Sequence, residues 1–201
     1  MLKPNNYDNT KAGGDFTPIE LGGHHLIIKN VEETTSKAGS PMLKVYFDFA
    51  KNDRQPDYMA TEFKNDIRPD KKWPHAGTQY ILTEDKDGNC SKSFKSFITA
   101  FENSNNCSAI WGDKFAGQFK NKKIGGVFGE VENEYNGRRT MRHELRWFCA
   151  DDKVDTASTP EARYLNGKAS DTLGGSSTAS SSDDGFMNVP DGVDEAAPWE
   201  S

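Results

Sequence analysis

The stretch that decides the fold is VFGEVENEYNGRRTMRHELRW, residues 127–147, with Asn136-Gly137 near its centre. Asn-Gly tolerates the positive φ angles that a two-residue type I′ turn requires, and it is the strongest short-range signal for a β-hairpin. The stretch therefore predicts two antiparallel strands that meet at Asn136-Gly137.

Side chains along the returning strand alternate between two faces. One face carries Arg138, Thr140, Arg142, Glu144 and Arg146, and the other carries Arg139, Met141, His143, Leu145 and Trp147. Around this turn Tyr135 lies opposite Arg138, so an aromatic ring joins a row of cations, which suits phosphates and bases. Two alternatives stay open, because ordinary solvated strands also carry Arg and because a bulge near Gly125-Gly126 or Gly129 would exchange the faces.

Length and composition limit the classes of protein. The 201 residues are 34% hydrophobic and 28% charged, which predicts one domain with a modest core and segments that do not fold. Neither a membrane-spanning apolar run nor an apolar signal region is present, so we expect a cytoplasmic location. The cysteines, Cys90, Cys107 and Cys149, are widely spaced and indicate neither a disulfide framework nor a zinc site.

Charge is distributed unevenly along the chain. The net charge is −6, and residues 169–201 contain seven carboxylates with no Lys or Arg, so residues 1–168 carry +1. Such a split is typical of proteins with nucleic-acid chemistry, although acidic tails also serve only as solubilisers.

The order of predicted elements indicates the fold class. Residues 24–31 and 42–49 have strand patterns, and residues 58–63 and 79–83 are shorter strand candidates. The spacing of Phe94, Phe97, Ile98 and Phe101 predicts a helix that Ser91 caps. Taken as three strands, one helix and two strands, this order matches the OB-fold, a mainly β five-stranded barrel with its helix between strands three and four. OB-folds bind oligonucleotides.

Two further groups of side chains combine cations with aromatic rings. On the strand at residues 42–49, Lys44 and Tyr46 share the face opposite the apolar residues. The segment at residues 64–74 contains Lys64, Arg68, Lys71, Lys72 and Trp73. Trp73 in this Pro-punctuated segment is equally consistent with a lid that packs on the barrel and with a platform that stacks on bases.

Composition divides the chain into three parts. Residues 1–20 are a polar N-terminal arm, residues 21–150 form the OB-fold domain, and residues 151–201 are an acidic tail that we expect to be flexible and disordered. Carboxylates around Phe186, Pro198 and Trp199 suit docking into a basic, apolar groove of another protein. The alternative is a solvated tail without a partner.

Several short motifs carry a resemblance to a known family. They are GGHHLII at residues 22–28, SKAGSPML at 36–43, FKSFI at 94–98, NSN at 103–105 and KIGGVF at 123–128. On these residues the chain resembles phage-encoded single-stranded DNA-binding proteins. The resemblance covers residues 15–149, and the acidic tail with Pro198-Trp199 is also similar to the ends of such proteins.

The resemblance implies an OB-fold that coats single-stranded DNA during replication or recombination in the cytoplasm of the host bacterial cell, without catalysis, cofactor or metal. The tail would recruit replication or recombination proteins, and self-association into a homo-oligomer stays open. We expect the DNA-binding residues to be Lys44, Tyr46, Lys64, Arg68, Lys71, Lys72, Trp73, Tyr135, Arg138, Arg142 and Arg146. The chain departs from the commoner bacterial pattern because Glu200-Ser201 follow Trp199.

Two rival functions remain. A metal-dependent nuclease could use the carboxylates Asp66, Asp70, Glu84 and Asp85, although their spacing matches no metal site. A β-barrel interaction protein, such as a virion component or an inhibitor of a host enzyme, would not bind DNA at all.

Overall fold

The computed structural model describes residues 2–5, 7 and 17–167. Most of the predicted N-terminal arm lies outside these residues. The predicted docking residues Phe186, Pro198 and Trp199 also lie outside them, with the rest of residues 168–201.

Five antiparallel strands form one sheet, and the fold is mainly β, as the sequence predicts. In chain order the elements are β1 (Gly22–Thr35), β2 (Pro41–Phe49), α1 (Tyr58–Asn65), β3 (Thr78–Leu82), α2 (Lys92–Asn105), β4 (Lys123–Tyr135) and β5 (Arg138–Cys149). Short 3-10 helices at His75–Gly77, Ala116–Phe119 and Asp151–Thr156 lie between or after them. The strand order across the sheet is β3-β2-β1-β4-β5.

One face of this sheet forms the core. In β2 the apolar residues alternate along the strand, and Leu43, Val45, Phe47 and Phe49 are all buried. Helix α2 adds a stripe of phenylalanines to this core, and Phe97 packs its ring 5.2 Å from that of Phe148 in β5. The Ser91 hydroxyl accepts a hydrogen bond from the Phe94 backbone N–H at 3.1 Å, which confirms the predicted helix cap.

The predicted strand at residues 58–63 is wrong, because this segment is helix α1. Met59 and Phe63 are its buried residues, and their spacing of four places both on one side of a helix. The buried carboxylate of Asp48 accepts the Met59 backbone N–H at 2.9 Å, so a residue of β2 stabilises the first turn. The fold therefore has a second helix that the sequence does not predict.

The predicted hairpin is confirmed. Asn136 and Gly137 have φ angles of 50° and 74°, and Tyr135 lies opposite Arg138. A β-bulge interrupts the ladder nearer the core, since Val127 pairs with Trp147 while Phe128 pairs with Leu145. Arg146 is thus the extra residue in β5.

Residues 151–167, which we call the C-terminal strap, pack against the sheet. Val154 is buried, and its backbone lies so close to Gly23 that a side chain there would collide with it. Farther along, the Arg163 backbone N–H donates to Glu130 at 2.9 Å and its carbonyl accepts from Glu132 at 2.8 Å. The packed part of the chain extends beyond residue 150, the boundary expected from composition.

None of the helices in the described part of the chain combines the length and the apolar character needed to cross a bilayer.

Candidate nucleic-acid interface

The side of the sheet opposite the core, called here the outer face, carries most of the predicted binding residues. Directly opposed residues of antiparallel strands share a face. Because Phe128 and Leu145 point into the core, the alternation places Arg138 and Arg142 of β5 on the outer face with Tyr135 of β4. The outer face of this hairpin is therefore cationic with an aromatic ring at its tip.

The cations of this hairpin are open to solvent. Tyr135 is 70% exposed, and Arg138 and Arg142 are exposed as well. Neither guanidinium forms an ion pair with any residue in the described ranges. Arg139, on the opposite face, differs because it pairs with Glu134 at 3.1 Å and lies 3.9 Å from Glu132. Among the described residues, Arg138 and Arg142 thus keep positive charge on the outer face that no ion pair neutralises.

The bulge adds an aromatic residue to the outer face that sequence reasoning places on the other side. Phe148 is in the core, so Trp147 before it points outward, and it is 46% exposed. Gly129 faces the Arg146 side chain, which puts Arg146 outward too, as predicted. We call Tyr135, Arg138, Arg142, Arg146 and Trp147 the hairpin surface.

A break in the alternation of apolar residues along β5 could have revealed from the sequence that Trp147 points outward. Leu145 and Phe148 are both apolar and buried but are three residues apart, and a regular strand cannot place residues at that spacing on one face.

The strap fixes the Arg146 side chain and brings Arg163 near it. Arg146 Nη1 donates to the Glu161 carbonyl at 3.0 Å and approaches the Glu130 carbonyl at 3.4 Å. Burial, followed by the positive charge of Arg163, lowers the pKa of Arg146. Arg163 is itself exposed, and sequence reasoning, which assigned it to the flexible tail, did not identify it.

Lys44 and Tyr46 lie on the outer face as predicted, but both are buried, at 8% and 4% exposure. Lys44 Nζ lies 4.9 Å from the centre of the Tyr46 ring, and Tyr46 Oη donates to a Glu32 carboxylate oxygen at 3.0 Å. In this arrangement the two side chains belong to a packed network within the sheet.

The remaining predicted residues come from the connection between α1 and β3. Arg68 binds the Asp66 carboxylate through two nitrogens at 2.7 to 3.0 Å, and this hydrogen bonding lowers the pKa of Asp66 to about 2. Lys71 Nζ lies 4.5 Å from the centre of the Phe63 ring. Lys64 is exposed in the last turn of α1, and Lys72 is half-buried.

Trp73 has the geometry of a lid, one of its two predicted alternatives. Its indole N–H lies 3.2 Å from the carbonyl oxygens of both Phe47 and Gly77, and its ring packs 5.7 Å from that of Phe63. These contacts hold the half-buried ring against the core. The structure thus gathers the hairpin residues on one exposed surface, whereas the α1–β3 residues belong to a separate element.

The carboxylates of the nuclease hypothesis have local structural contacts. Asp66 pairs with Arg68, and Asp85 accepts the backbone N–H groups of Asp87 and Asn89 at 2.9 Å in a turn. Across the residues that the structure describes, no three His, Cys, Asp or Glu side chains are grouped so that they could hold a metal ion.

Comparison with known proteins gives no assignment, since no protein-family model and no curated protein matches this chain.

Proposed function

We propose that this protein binds single-stranded DNA without sequence preference and has an OB-fold. The observation that carries the proposal is the hairpin surface, where the solvent-exposed Arg138 and Arg142 lie on the same face as the exposed rings of Tyr135 and Trp147. Unpaired guanidinium groups attract phosphates, and exposed rings stack on bases whatever their identity. This combination is typical of proteins that bind single strands non-specifically.

The topology of the sheet supports the OB-fold. The order β3-β2-β1-β4-β5, antiparallel throughout with α2 between β3 and β4, agrees with the order expected for a five-stranded Greek-key barrel that is open between β3 and β5. The 3-10 helix His75–Gly77 contacts β2, β3 and β5, so it bridges the open side. In OB-folds the turn between strands four and five contributes to the oligonucleotide site, and the hairpin surface flanks that turn here.

The acidic end of the chain gives the proposal a second part. Residues 169–201 carry −7 and contain Phe186, Pro198 and Trp199. We infer that this segment recruits proteins of phage replication or recombination in the host cytoplasm, because carboxylates steer it to basic surfaces and the apolar residues anchor it.

The DNA-binding part is tested by fluorescence anisotropy with labelled oligo-dT across a range of salt concentrations. We expect the affinity of the full chain to fall steeply as salt rises, because bound phosphates release counterions. Replacing Arg138 and Arg142 together by Ala reduces the slope of log K against log salt by about 1.4, since each single-strand phosphate contact contributes about 0.7.

The matched control replaces Lys92 and Lys95 by Ala. Both are exposed on α2, away from the hairpin surface, and their loss removes the same net charge. We expect this variant to keep the slope of the unaltered chain. Equal slopes for the two double variants would reject the hairpin surface as the DNA site, and the absence of binding at low salt would reject DNA binding itself.

A further inference from the structure

Strand β5 is the last strand of the sheet, and its outer edge is open along the hairpin. Within the described residues it pairs only with β4, and residues 138–142 are all exposed in succession. An unpaired edge of this length is a template for pairing with another strand.

Hydrogen bonds of the strap show which backbone groups of β5 face this edge. The Glu130 carbonyl and the Glu132 N–H bind Arg163, so at these positions the β4 backbone points away from β5. Their opposed residues in β5 are His143 and Met141. In an antiparallel ladder such opposed pairs do not bond to each other, so the N–H and C=O groups of Met141 and His143 point toward the open edge. By the same alternation, so do those of Arg139.

We propose that β5 pairs with β5 of a second copy of this chain, antiparallel, with Met141 opposite Met141. This register places Arg138 of each copy opposite Glu144 of the other, so that two Arg–Glu pairs flank the central methionines. Opposite charges directly across a ladder stabilise it. The proposal goes beyond single-strand binding, since the dimer forms without DNA.

Charge and the bulge discriminate against the neighbouring registers. Centring the pair on Thr140 would place Arg138 opposite Arg142, and centring it on Arg142 would place two copies of that residue in contact. Like charges in such positions destabilise a ladder. Centring on His143 would carry the ladder across the bulge at Arg146, whose guanidinium already binds the strap. Only the register centred on Met141 gives an uninterrupted ladder over residues 138–144.

The dimer places the hairpin surfaces of the two copies side by side. Arg142, which lies opposite Thr140 of the second copy in this register, is on the outer face, and same-face pairing continues that face into the second copy. A strand of DNA bound to one hairpin would then reach the other without leaving the sheet.

Cysteine cross-linking tests the register in the full chain. Met141→Cys, Thr140→Cys and Arg142→Cys are each made with Cys90→Ser and Cys107→Ser, and each protein is oxidised with copper phenanthroline without DNA. A disulfide requires Cα atoms within about 7 Å, which opposed residues satisfy. We expect a disulfide-linked dimer for M141C. In this register the Cα atoms of the two residues 140 are about 8 Å apart, as are those of the two residues 142, because the rise is about 3.4 Å per residue. We therefore expect T140C and R142C not to form a linked dimer.

Sedimentation equilibrium of the protein that carries only Cys90→Ser and Cys107→Ser measures the mass of the dimer directly. We expect a mass twice the monomer's 22.4 kDa. Arg138→Glu should raise the dissociation constant of the dimer by about tenfold, since two attractive pairs become repulsive, and Arg138→Glu with Glu144→Arg should restore the original dissociation constant. Equal cross-linking of the three cysteine variants, preferential linking of T140C or R142C, or a monomeric mass at every concentration would overturn the proposal. Because no DNA is present, these outcomes are independent of single-strand binding.

Discussion

Trp147 lies opposite Val127 in the β4–β5 ladder, and this pairing places its indole on the same face of the sheet as Arg142. The arrangement depends on the bulge at Arg146, without which Trp147 would point to the core side. The ring is 46% exposed and is therefore available to a base.

We predict that Trp147→Ala weakens binding of oligo-dT by about 1–3 kcal/mol, the range for loss of one base-stacking ring. The loss should be almost independent of salt, because stacking neutralises no phosphate. Anisotropy titrations at two salt concentrations measure both properties.

Trp111→Ala is the matched control. Trp111 is 65% exposed and stacks on Phe115 beside α2, away from the hairpin surface. We expect its removal to leave DNA affinity unchanged. If both tryptophan variants lost the same affinity, the effect would be one of general destabilisation, and the assignment of Trp147 would be wrong.

Local signals in the sequence predict much of this fold. Asn136-Gly137 specifies a turn by its own φ preferences, Ser91 caps α2 with its own hydroxyl, and alternation in β2 identifies the core. Each signal acts within a few residues, so it can be identified from the sequence alone.

The parts that sequence reasoning misses depend on contacts between distant residues. The first turn of helix α1 is held by Asp48, whose carboxylate accepts the backbone N–H of Met59, eleven residues farther along the chain. The strap is polar in composition, yet Val154 packs against Gly23 across the sheet. For the same reason, the burial of Lys44 and Tyr46 could not be deduced from the pattern of β2, which shows only that they share a face.

The contact between the strap and β1 leads to a stability prediction. A Cβ atom at Gly23 would lie 2.1 Å from the Val154 carbonyl oxygen, which is backbone and cannot rotate away. We expect Gly23→Ala to lower the free energy of unfolding by about 1–3 kcal/mol, the usual cost of overpacking. Urea denaturation measures the shift in midpoint.

Gly117→Ala provides the comparison, since a Cβ atom there would meet nothing within 4 Å. That substitution should change stability by less than about 1 kcal/mol, or raise it slightly by restricting the unfolded chain. Similar midpoints for the two variants would show that the strap does not pack on Gly23.

Thiol reactivity should separate the three cysteines. Cys90 and Cys107 are exposed, whereas burial, with the charges of Asp151 and Asp152, raises the pKa of Cys149 to about 11. Only the thiolate reacts, so at pH 8 we expect Cys149 to react about a hundredfold more slowly than a thiol of ordinary pKa. Reaction with Ellman's reagent should show two fast thiols and one slow thiol. Cys149→Ser should remove the slow phase alone, and three equal rates would contradict its burial.

The buried carboxylate of Asp48 should make stability depend on pH. One oxygen accepts the backbone N–H groups of Phe49 and Met59 at 2.9 Å, and the other lies 3.5 Å from Lys29 Nζ. Burial raises the pKa of Asp48 above its ordinary value of 3.8, although the Lys29 charge and the backbone N–H groups oppose this. Between the two pKa values the folded state binds more protons than the unfolded state, so the contribution of Asp48 to stability falls as pH rises.

Asp48→Asn removes this dependence because the amide does not ionise. We therefore expect the stability of the variant, relative to the unaltered chain, to increase as the pH rises above 3.8.

Asp66→Asn should show the opposite change of stability with pH. Hydrogen bonds from Arg68 lower the pKa of Asp66 to about 2, so ionised Asp66 stabilises the fold above 3.8 and this contribution is lost as pH falls. Urea denaturation of the three proteins across this pH range decides between the signs. The same sign for both variants would mean that Asp48 does not ionise in a buried position, and the packing of α1 on β2 would then have to differ from the one described.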